Sequence, residues 1–320
     1  MSESDAMRGK VLLASPRGFC AGVVRAIDIV NLALERYGLP LYVRREIVHN
    51  KYVVNELRQK GTIFIEDLDE VPPGSRVIFS AHGVSPEVRI AAVQRQLKVI
   101  DATCPLVTKV HLEAIKYARE GYTIILIGHE DHDEVIGTLG EAPHAIRVLV
   151  TTEQVDDFEV PDPSKVAYLT QTTLSLDDTR QIIERLRQRF PQIHGPSSED
   201  ICYATQNRQA AVLELAKRAE ILLVVGSANS SNSRRLVEVA QNQEVPAHLI
   251  DDIDSIQTSW LASVRTIGLT AGASAPEGLV ERVIHYLREI GYPEVETIGH
   301  IPEDVEFALP AELVRTVHVR

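Results

Sequence analysis

The stretch KVLLASPRGFCAGVVRAIDIV, residues 10–30, shows the pattern that decides the fold. Its first apolar run predicts a short strand, the Pro and Gly that follow predict a turn, and apolar residues at helical spacing predict a helix from about Val23. Cys20 lies between the turn and the helix. The stretch therefore predicts a strand, a loop that carries a cysteine, and a helix in direct succession.

The same succession occurs twice more along the chain. It is present in LKVIDATCPLVTKVHLEAIKYA, residues 97–118, and in SSEDICYATQNRQAAVLELAKRA, residues 197–219. Cys104 precedes a proline, which the first turn of a helix tolerates. Cys202 precedes another helical pattern, although the strand signal before it is weaker. Each cysteine is therefore predicted to lie near a helix N-terminus.

Three further blocks follow each cysteine in a constant order. Polar-loop strands, apolar strands that end in a polar loop, occur in residues 42–50, 122–135 and 220–233. Acidic-turn strands, which lead into an acidic turn, occur in residues 62–71, 147–158 and 248–256. Small-loop strands, which end in a loop of small residues, occur in residues 76–86, 165–175 and 265–276. The chain is therefore a threefold repeat in pattern, although simple alternation of strands and helices also produces such matches.

A repeat of this length favours three sequential α/β domains, each with a small parallel sheet and flanking helices. The predicted domains are residues 21–104, residues 105–200, and residues 10–20 together with 201–290, with residues 291–320 as a tail that packs across them. Ligands of such sheets bind at the carboxyl ends of the strands. The cysteine loops, polar loops and small-residue loops are therefore predicted to face one crevice.

Composition and charge exclude several classes of protein. The 320 residues are 44% hydrophobic and 24% charged, as in an ordinary globular protein, and no apolar run approaches the length of a membrane span. The net charge of −12 opposes binding to nucleic acid. The N-terminal MSESDAM lacks the features of a targeting signal. We therefore expect a cytoplasmic protein that binds neither nucleic acid nor membrane.

The three cysteines, 84 and 98 residues apart, cannot all form disulfides with one another, and their spacing indicates a reduced environment. Scattered cysteines are often only small buried apolar residues. If they converge, their thiolates select zinc, copper(I) or an iron-sulfur cluster. Zinc sites usually contain a closely spaced ligand pair, which is missing here. Three cysteines on a 4Fe-4S cluster leave one iron open to substrate.

The polar loops contain candidate phosphate ligands. Hydroxyl, amide and backbone N–H groups at strand ends bind phosphate, and the candidates are Ser230, Ser231, Asn232 and Ser274. A solvated turn with helix caps is the alternative interpretation. His49 and His82 follow apolar strands, so they either donate to diphosphate oxygens or are ordinary strand-end residues.

A second group of residues suits proton transfer. His132 and Glu134 lie two residues apart in GHEDHDEV, and a carboxyl shielded from water near an anionic ligand has a raised pKa. Glu134 is therefore a candidate general acid, with an exposed acidic loop as the alternative. Thr172 in TQTT is a candidate hydrogen-bond partner of a substrate hydroxyl, although such a Thr run needs no function.

Together these motifs resemble those of the LytB family, the 4-hydroxy-3-methylbut-2-enyl diphosphate reductases. The resemblance spans nearly the whole chain and rests on PRGFCAGVVRAI, EIVHN, SAHGVSP, DATCPLV, GHEDHDEVIGT, TQTTLS, DICYATQNRQ, GSANSSNSRRL and TAGASAP. It implies a pseudo-threefold trefoil of three α/β domains around one central 4Fe-4S cluster. The resemblance assigns the cluster to Cys20, Cys104 and Cys202.

The resemblance also implies roles for the polar residues and a reaction. Substrate-binding positions fall on His49, His82, His132, Thr172, Ser230, Ser231, Asn232 and Ser274, and the proton donor falls on Glu134. Asp133 departs from the family pattern, which often has proline there. The implied reaction reduces an allylic diphosphate to isopentenyl and dimethylallyl diphosphates and water, with electrons from ferredoxin or flavodoxin. A redox-sensing regulator and a zinc-dependent hydrolase are the competing interpretations.

Overall fold

The computed structural model describes residues 9–314 as two compact units. The first unit contains residues 9–20, 49–53 and 203–305, and the second contains residues 21–48, 54–202 and 306–314. Residues 1–8, which include the acidic N-terminus, and residues 315–320, the end of the predicted tail, lie outside the described residues.

Twelve strands form three parallel sheets within residues 9–314. They are β1 (Lys10–Ala14), β2 (Tyr42–Arg44), β3 (Ile63–Ile65), β4 (Arg76–Phe79), β5 (Lys98–Asp101), β6 (Thr123–Ile127), β7 (Ile146–Leu149), β8 (Val166–Thr170), β9 (Ile221–Val225), β10 (Ala247–Ile250), β11 (Thr266–Ala271) and β12 (Glu294–Ile298). The first unit holds the sheet with strand order β10-β9-β11-β1-β12. The second unit holds the sheets β3-β2-β4-β5 and β7-β6-β8. The predicted α/β class with small parallel sheets is confirmed.

Eleven α-helices connect these strands within the same residues. They are α1 (Ala21–Tyr37), α2 (Lys51–Gln59), α3 (Pro86–Gln94), α4 (Pro105–Arg119), α5 (Asp133–Glu141), α6 (Gln154–Asp157), α7 (Leu176–Arg189), α8 (Tyr203–Ala216), α9 (Ser231–Gln241), α10 (Glu277–Glu289) and α11 (Ala311–Val314). Among the helices described, none combines the length and the apolar character that a membrane crossing requires.

The strand order reproduces the repeat seen in the sequence. In each sheet a polar-loop strand lies between an acidic-turn strand and a small-loop strand, giving the neighbours β3-β2-β4, β7-β6-β8 and β10-β9-β11. The polar loops and the small-residue loops of each sheet therefore leave the same edge, because parallel strands end together.

The strands that precede the cysteines pair with the small-loop strands, but not all of them are complete. β1 pairs with the small-loop strand β11, and β5 pairs with the small-loop strand β4. Before Cys202 the equivalent strand is reduced to a single bridge between His194 and Ala167 of the small-loop strand β8. This segment contains Pro191 and Pro196, and proline cannot donate to a sheet ladder. The weak strand signal before Cys202 thus corresponds to a single bridge.

Part of the segment predicted as a C-terminal tail extends the first sheet. Residues 294–298 form β12, which runs parallel to β1 with Glu294 opposite Lys10. The sequence EVETI is short and weakly apolar, so it gives little strand signal by itself. The domain boundaries and the packing of the tail across domains stay predictions.

Burial on both faces of the sheets explains the continuous apolar runs. In the first unit, Leu223 and Leu269 pack on one face and Leu222 and Val224 on the other, all without exposed surface. The three-stranded sheet of the second unit likewise buries residues on both faces. These cores fix the strand ends from which the polar loops emerge.

Candidate functional site

Each of the three cysteines is the residue immediately before a long helix. Cys20 precedes α1, Cys104 is the N-cap residue of α4, and Cys202 precedes α8, helices of 17, 15 and 14 residues. Their backbone N–H groups donate, at 3.2, 2.9 and 3.1 Å, to the carbonyl oxygens of Ala273, Ala81 and Thr172. Each of these acceptors lies two residues after a small-loop strand. The three cysteines therefore occupy equivalent positions in the repeat.

The chemistry of these thiols fits an iron-sulfur cluster. None of the three forms a disulfide within residues 9–314, and each is partly exposed. Thiolates at helix N-termini are stabilised by the positive end of the helix dipole. A donor set of three soft ligands without a fourth suits a cluster that keeps one iron free of protein thiolate.

A fully buried arginine, which the sequence motifs alone did not indicate, holds the loop before Cys20. Arg208 has no exposed surface, and its Nε and Nη2 atoms donate to the Gly18 carbonyl at 3.0 and 2.6 Å. Its Nη1 atom donates to the Ala204 carbonyl at 3.0 Å, in the first turn of α8, and to Glu303 at 2.9 Å. Arg208 therefore fixes the backbone before Cys20 to the start of the helix that follows Cys202.

A buried ion pair in the second unit holds the segment before Cys202. The Asp200 carboxylate, whose side chain is fully buried, accepts from the Lys109 ammonium at 2.8 Å and from the Thr170 backbone N–H at 2.9 Å. Lys109 also donates to the carbonyl oxygen of Ser198. Burial raises the pKa of Asp200 to about 6, against the opposing effect of Lys109. Lys109 lies on α4, so this pair ties the helix of Cys104 to the segment of Cys202.

The structure brings Glu134, His132 and Thr172 together. The Glu134 carboxylate is 3% exposed and accepts from the backbone N–H and the hydroxyl of Thr172, at 2.8 and 2.9 Å. His132 is the N-cap residue of α5, and its Nδ1 accepts from the Glu134 backbone N–H at 3.2 Å. A neutral His132 therefore carries its proton on Nε2.

The environment of Glu134 gives it the pKa of a proton donor at neutral pH. Burial raises its pKa to about 7, and the two hydrogen bonds from Thr172 act in the opposite direction. A group with this pKa is partly protonated near pH 7 and exchanges a proton readily. The alternative of an exposed acidic loop is wrong for Glu134, because its carboxyl is buried.

His82 lies beside this group, and Asp133 has a partner that the sequence motifs did not indicate. The His82 and His132 rings pack edge to face with centroids 6.0 Å apart, and the Ser80 hydroxyl lies 3.3 Å from His82 Nδ1. Asp133, the first residue of α5, forms an ion pair with Arg45. Arg45 follows β2 in the left-handed backbone region, with φ of 56°. Asp133 thus links the start of α5 to the polar loop of β2.

The predicted phosphate ligands of the first unit lie at the N-terminus of α9. Ser230 is the N-cap residue and accepts from the Ser233 backbone N–H at 3.3 Å. The Ser274 hydroxyl donates to the His49 carbonyl oxygen at 2.9 Å and lies 3.4 Å from the Ser230 hydroxyl. Ser231 is also buried here. Hydroxyls at a helix N-terminus suit an anionic group.

Asn232, the next residue of α9, contacts both the loop after β11 and helix α8. Its Oδ1 accepts from the Ala273 backbone N–H at 2.8 Å, and its Nδ2 lies 3.3 Å from the Thr205 hydroxyl. Any side chain at Gly226 or Gly272 would overlap Ser233, so these glycines let the strand ends approach α9 closely. Ala273 also accepts a hydrogen bond from the Cys20 backbone N–H. Asn232 thus connects the loop that holds Cys20 with the serine hydroxyls at the N-terminus of α9.

The structure thus describes an α/β protein with three equivalent cysteine loops, a hydroxyl-rich helix N-terminus in the first unit and a buried protonatable carboxyl in the second. The family model described as LytB protein matches residues 11–288. The chain belongs to the LytB family, and the resemblance found in the sequence is confirmed.

Several relatives carry the same name. A protein of Acidothermus cellulolyticus is 57% identical over 97% of this chain and 92% of its own length, and one of Aromatoleum aromaticum is 55% identical over 95% and 97%. Both are named 4-hydroxy-3-methylbut-2-enyl diphosphate reductase. The solved structure of the E-1-hydroxy-2-methyl-but-2-enyl-4-diphosphate reductase from Plasmodium falciparum matches with a TM-score of 0.93 and 41% identity, covering 96% of this chain and 97% of that one.

Proposed function

We propose that this chain is a cytoplasmic oxidoreductase that reduces 4-hydroxy-3-methylbut-2-enyl diphosphate to isopentenyl and dimethylallyl diphosphates and water. Membership of the LytB family and the names of relatives up to 57% identical support the reductase class. The observation that carries the proposal in this chain is Glu134, a buried carboxyl with a pKa of about 7. Removal of a hydroxyl as water requires such a proton donor.

Cys20, Cys104 and Cys202 are the residues that would hold one 4Fe-4S cluster. Their equivalent backbone hydrogen bonds, their partial exposure and the absence of a disulfide among them support this assignment. When bound, such a cluster supplies electrons and an iron that is open to a substrate oxygen. Arg208 and the Lys109–Asp200 pair would keep the cysteine loops in place.

The first unit supplies the binding groups for the diphosphate in this proposal. Ser230, Ser231 and Ser274 offer hydroxyls at the N-terminus of α9, and Asn232 and His49 complete the set. The helix dipole and the hydroxyl donors stabilise the anion without a net positive charge.

The second unit supplies the proton. The backbone N–H and the hydroxyl of Thr172 each form a hydrogen bond with the Glu134 carboxyl. The Thr172 hydroxyl is therefore in position to relay the proton of Glu134. His132 and His82 lie at the same loops and would orient the substrate. Exclusion of water around Glu134 keeps the proton on the carboxyl until the substrate hydroxyl accepts it.

Metal analysis and product analysis test this proposal. Anaerobically purified protein should contain about four irons and four sulfides per chain, and Cys104→Ser should lower both contents. With a chemical reductant, the hydroxylated diphosphate should yield the two isoprenyl diphosphates. Glu134→Gln should keep the cluster and substrate binding while turnover stops. Stoichiometric zinc without sulfide would favour a hydrolase, and a loaded cluster without any product would favour a redox sensor.

A further inference from the structure

A cation follows each of the three cysteines at nearly the same distance along the chain. The cations are Arg25, five residues after Cys20, Lys109, five residues after Cys104, and Arg208, six residues after Cys202. They lie on α1, α4 and α8, the helices that begin immediately after the cysteines. The three cations therefore have equivalent places in the repeat.

Arg25 contacts the backbone just before the second cysteine. Its Nη1 atom donates to the carbonyl oxygens of Ala102 and Thr103, at 3.2 and 3.0 Å. These are the last two residues before Cys104, in the loop between β5 and α4. Carbonyl oxygens of such a loop need a partner from outside the sheet ladder, and a cationic donor stabilises them strongly. The helix that follows Cys20 thus holds the loop of Cys104.

Lys109 makes the equivalent contact with the loop of the third cysteine. Its ammonium donates to the carbonyl oxygens of Ser198 and Glu199 and, at 2.8 Å, to the Asp200 carboxylate. All three acceptors lie within the four residues before Cys202. Helix α4, which follows the second cysteine, thus holds the loop of the third.

Arg208 contacts the loop of the first cysteine. Its guanidinium donates to the carbonyl oxygens of Gly18 and Phe19, the last two residues before Cys20. These are the same two positions that Arg25 contacts in the second loop. Each helix therefore holds the loop of the next cysteine, in the order first, second, third and back to first, and each contact lies within one compact unit.

Arg25 differs from the other two cations in the groups around its charge. Lys109 and Arg208 form ion pairs with carboxylates, whereas the hydrogen bonds of Arg25 within residues 9–314 go to carbonyl oxygens. Burial lowers the pKa of Arg25, and the nearby Cys104 thiolate and Asp101 carboxylate act in the opposite direction. Arg25 thus keeps a positive charge close to Cys104.

We propose that Arg25, Lys109 and Arg208 are positioning residues that act in a cycle, each on the loop of the next cysteine. The cycle orders the three loops together, because the helix that starts at one cysteine fixes the backbone before another. Arg25 in addition favours the reduced state of the group that Cys104 holds, since its charge is not engaged in an ion pair. For the identity of that group, a 4Fe-4S cluster, the inference rests on the proposed function.

Hydrogen–deuterium exchange of the cluster-loaded full chain tests the order of the cycle. Peptides that contain Cys20, Cys104 and Cys202 report on the three loops, because a hydrogen bond protects each cysteine N–H. In Arg25→Met the Cys104 peptide should exchange about tenfold faster, as expected on losing one charge-assisted hydrogen bond, and the Cys20 peptide should be unchanged. In Lys109→Met the Cys202 peptide should exchange faster by the same factor, and the Cys104 peptide should be unchanged.

Two matched controls remove a different cation from the same two helices. On α1, Arg36 donates to the Leu313 carbonyl oxygen, far along the chain from any cysteine, and on α4, Lys116 is exposed. Neither Arg36→Met nor Lys116→Met should change the exchange of a cysteine peptide. Faster exchange of the cysteine peptide on the variant's own helix, equal acceleration of all three peptides, or no acceleration in Arg25→Met and Lys109→Met would each overturn the cycle.

Arg25→Lys separates the charge of Arg25 from a general effect on folding. A lysine serves the equivalent position of α4, so Arg25→Lys should restore slow exchange of the Cys104 peptide. In an anaerobic redox titration, the midpoint potential of the cluster should fall in Arg25→Met and be retained in Arg25→Lys, because a nearby positive charge stabilises the reduced cluster. One midpoint potential for all three proteins would overturn the electrostatic role of Arg25.

The exchange measurement also separates this inference from the proposed function. If the purified chain contains neither iron nor sulfide, the proposed function fails, and exchange of the same peptides in that chain still tests the cycle. Selective acceleration of the next cysteine loop would then support the cycle, and acceleration without this order would reject it.

Discussion

The guanidinium of Arg208, which has no exposed surface, donates to both carboxylate oxygens of Glu303, at 2.9 and 3.2 Å. The two residues are 95 positions apart, and Glu303 lies after β12, in the segment that the sequence predicts as a tail. Because the same guanidinium holds the Gly18 carbonyl, the C-terminal segment stabilises the loop that leads to Cys20.

Replacing Arg208 by methionine should destabilise the protein strongly. The change leaves Glu303 and the Gly18 carbonyl without their partner, and breaking a buried ion pair costs about 3 to 5 kcal/mol. Urea unfolding under anaerobic conditions measures the loss. Arg218→Met is the matched control, since the Arg218–Glu296 pair is exposed and its removal should destabilise the protein far less. Equal losses in the two variants would show that Arg208 has no special role.

The stability of the protein should depend on pH through Glu134. The pKa of this carboxyl is about 7 in the folded protein and near 4.5 when it is exposed, so the folded state retains its proton longer. Its contribution is therefore complete below about pH 4.5 and is lost as pH rises to about 7. Between pH 5 and 7, the free energy of unfolding should fall by roughly 2 to 3 kcal/mol more than in Glu134→Gln. Parallel pH curves for the two proteins would contradict the assignment.

Thr172 should hold the pKa of Glu134 below the value that burial alone would produce. Its hydroxyl stabilises the carboxylate, so Thr172→Val should raise the Glu134 pKa further, by about one unit. The intensity of the infrared band of the protonated carboxyl, followed against pH, measures the pKa of Glu134. Glu134→Gln should remove this band and so assigns it. Thr172→Ser keeps a hydroxyl and should restore the original midpoint. A midpoint that is the same in the valine and serine variants would exclude the hydroxyl as the cause.

The pocket at the N-terminus of α9 should bind inorganic diphosphate. Ser274→Ala removes a hydroxyl that lies beside the Ser230 hydroxyl, and the Kd for diphosphate should rise by about tenfold. Isothermal titration of diphosphate measures the change. The exposed Ser263 of the same unit provides the control, because Ser263→Ala should leave the Kd unchanged. An equal Kd in both variants would place the anion elsewhere.

The sequence by itself determined the repeat and most of the residues at the strand ends. Periodic apolar runs specify local backbone structure. They indicate the three cysteine loops and the strands that recur in the same order in all three sheets. The apolar pattern does not indicate the short strand EVETI or the single bridge at His194, because pairing partners rather than local pattern decide such segments.

Only the tertiary structure decided how these residues are held and charged. Arg208 reaches Gly18 across 190 positions, and Lys109 reaches Asp200 across 91, so no local pattern reports either contact. The same holds for Glu134, since its pKa depends on burial and on Thr172, which lies 38 positions away. The sequence determined that a carboxyl follows β6, and the packing around it determined that this carboxyl keeps its proton near pH 7, because water is excluded there.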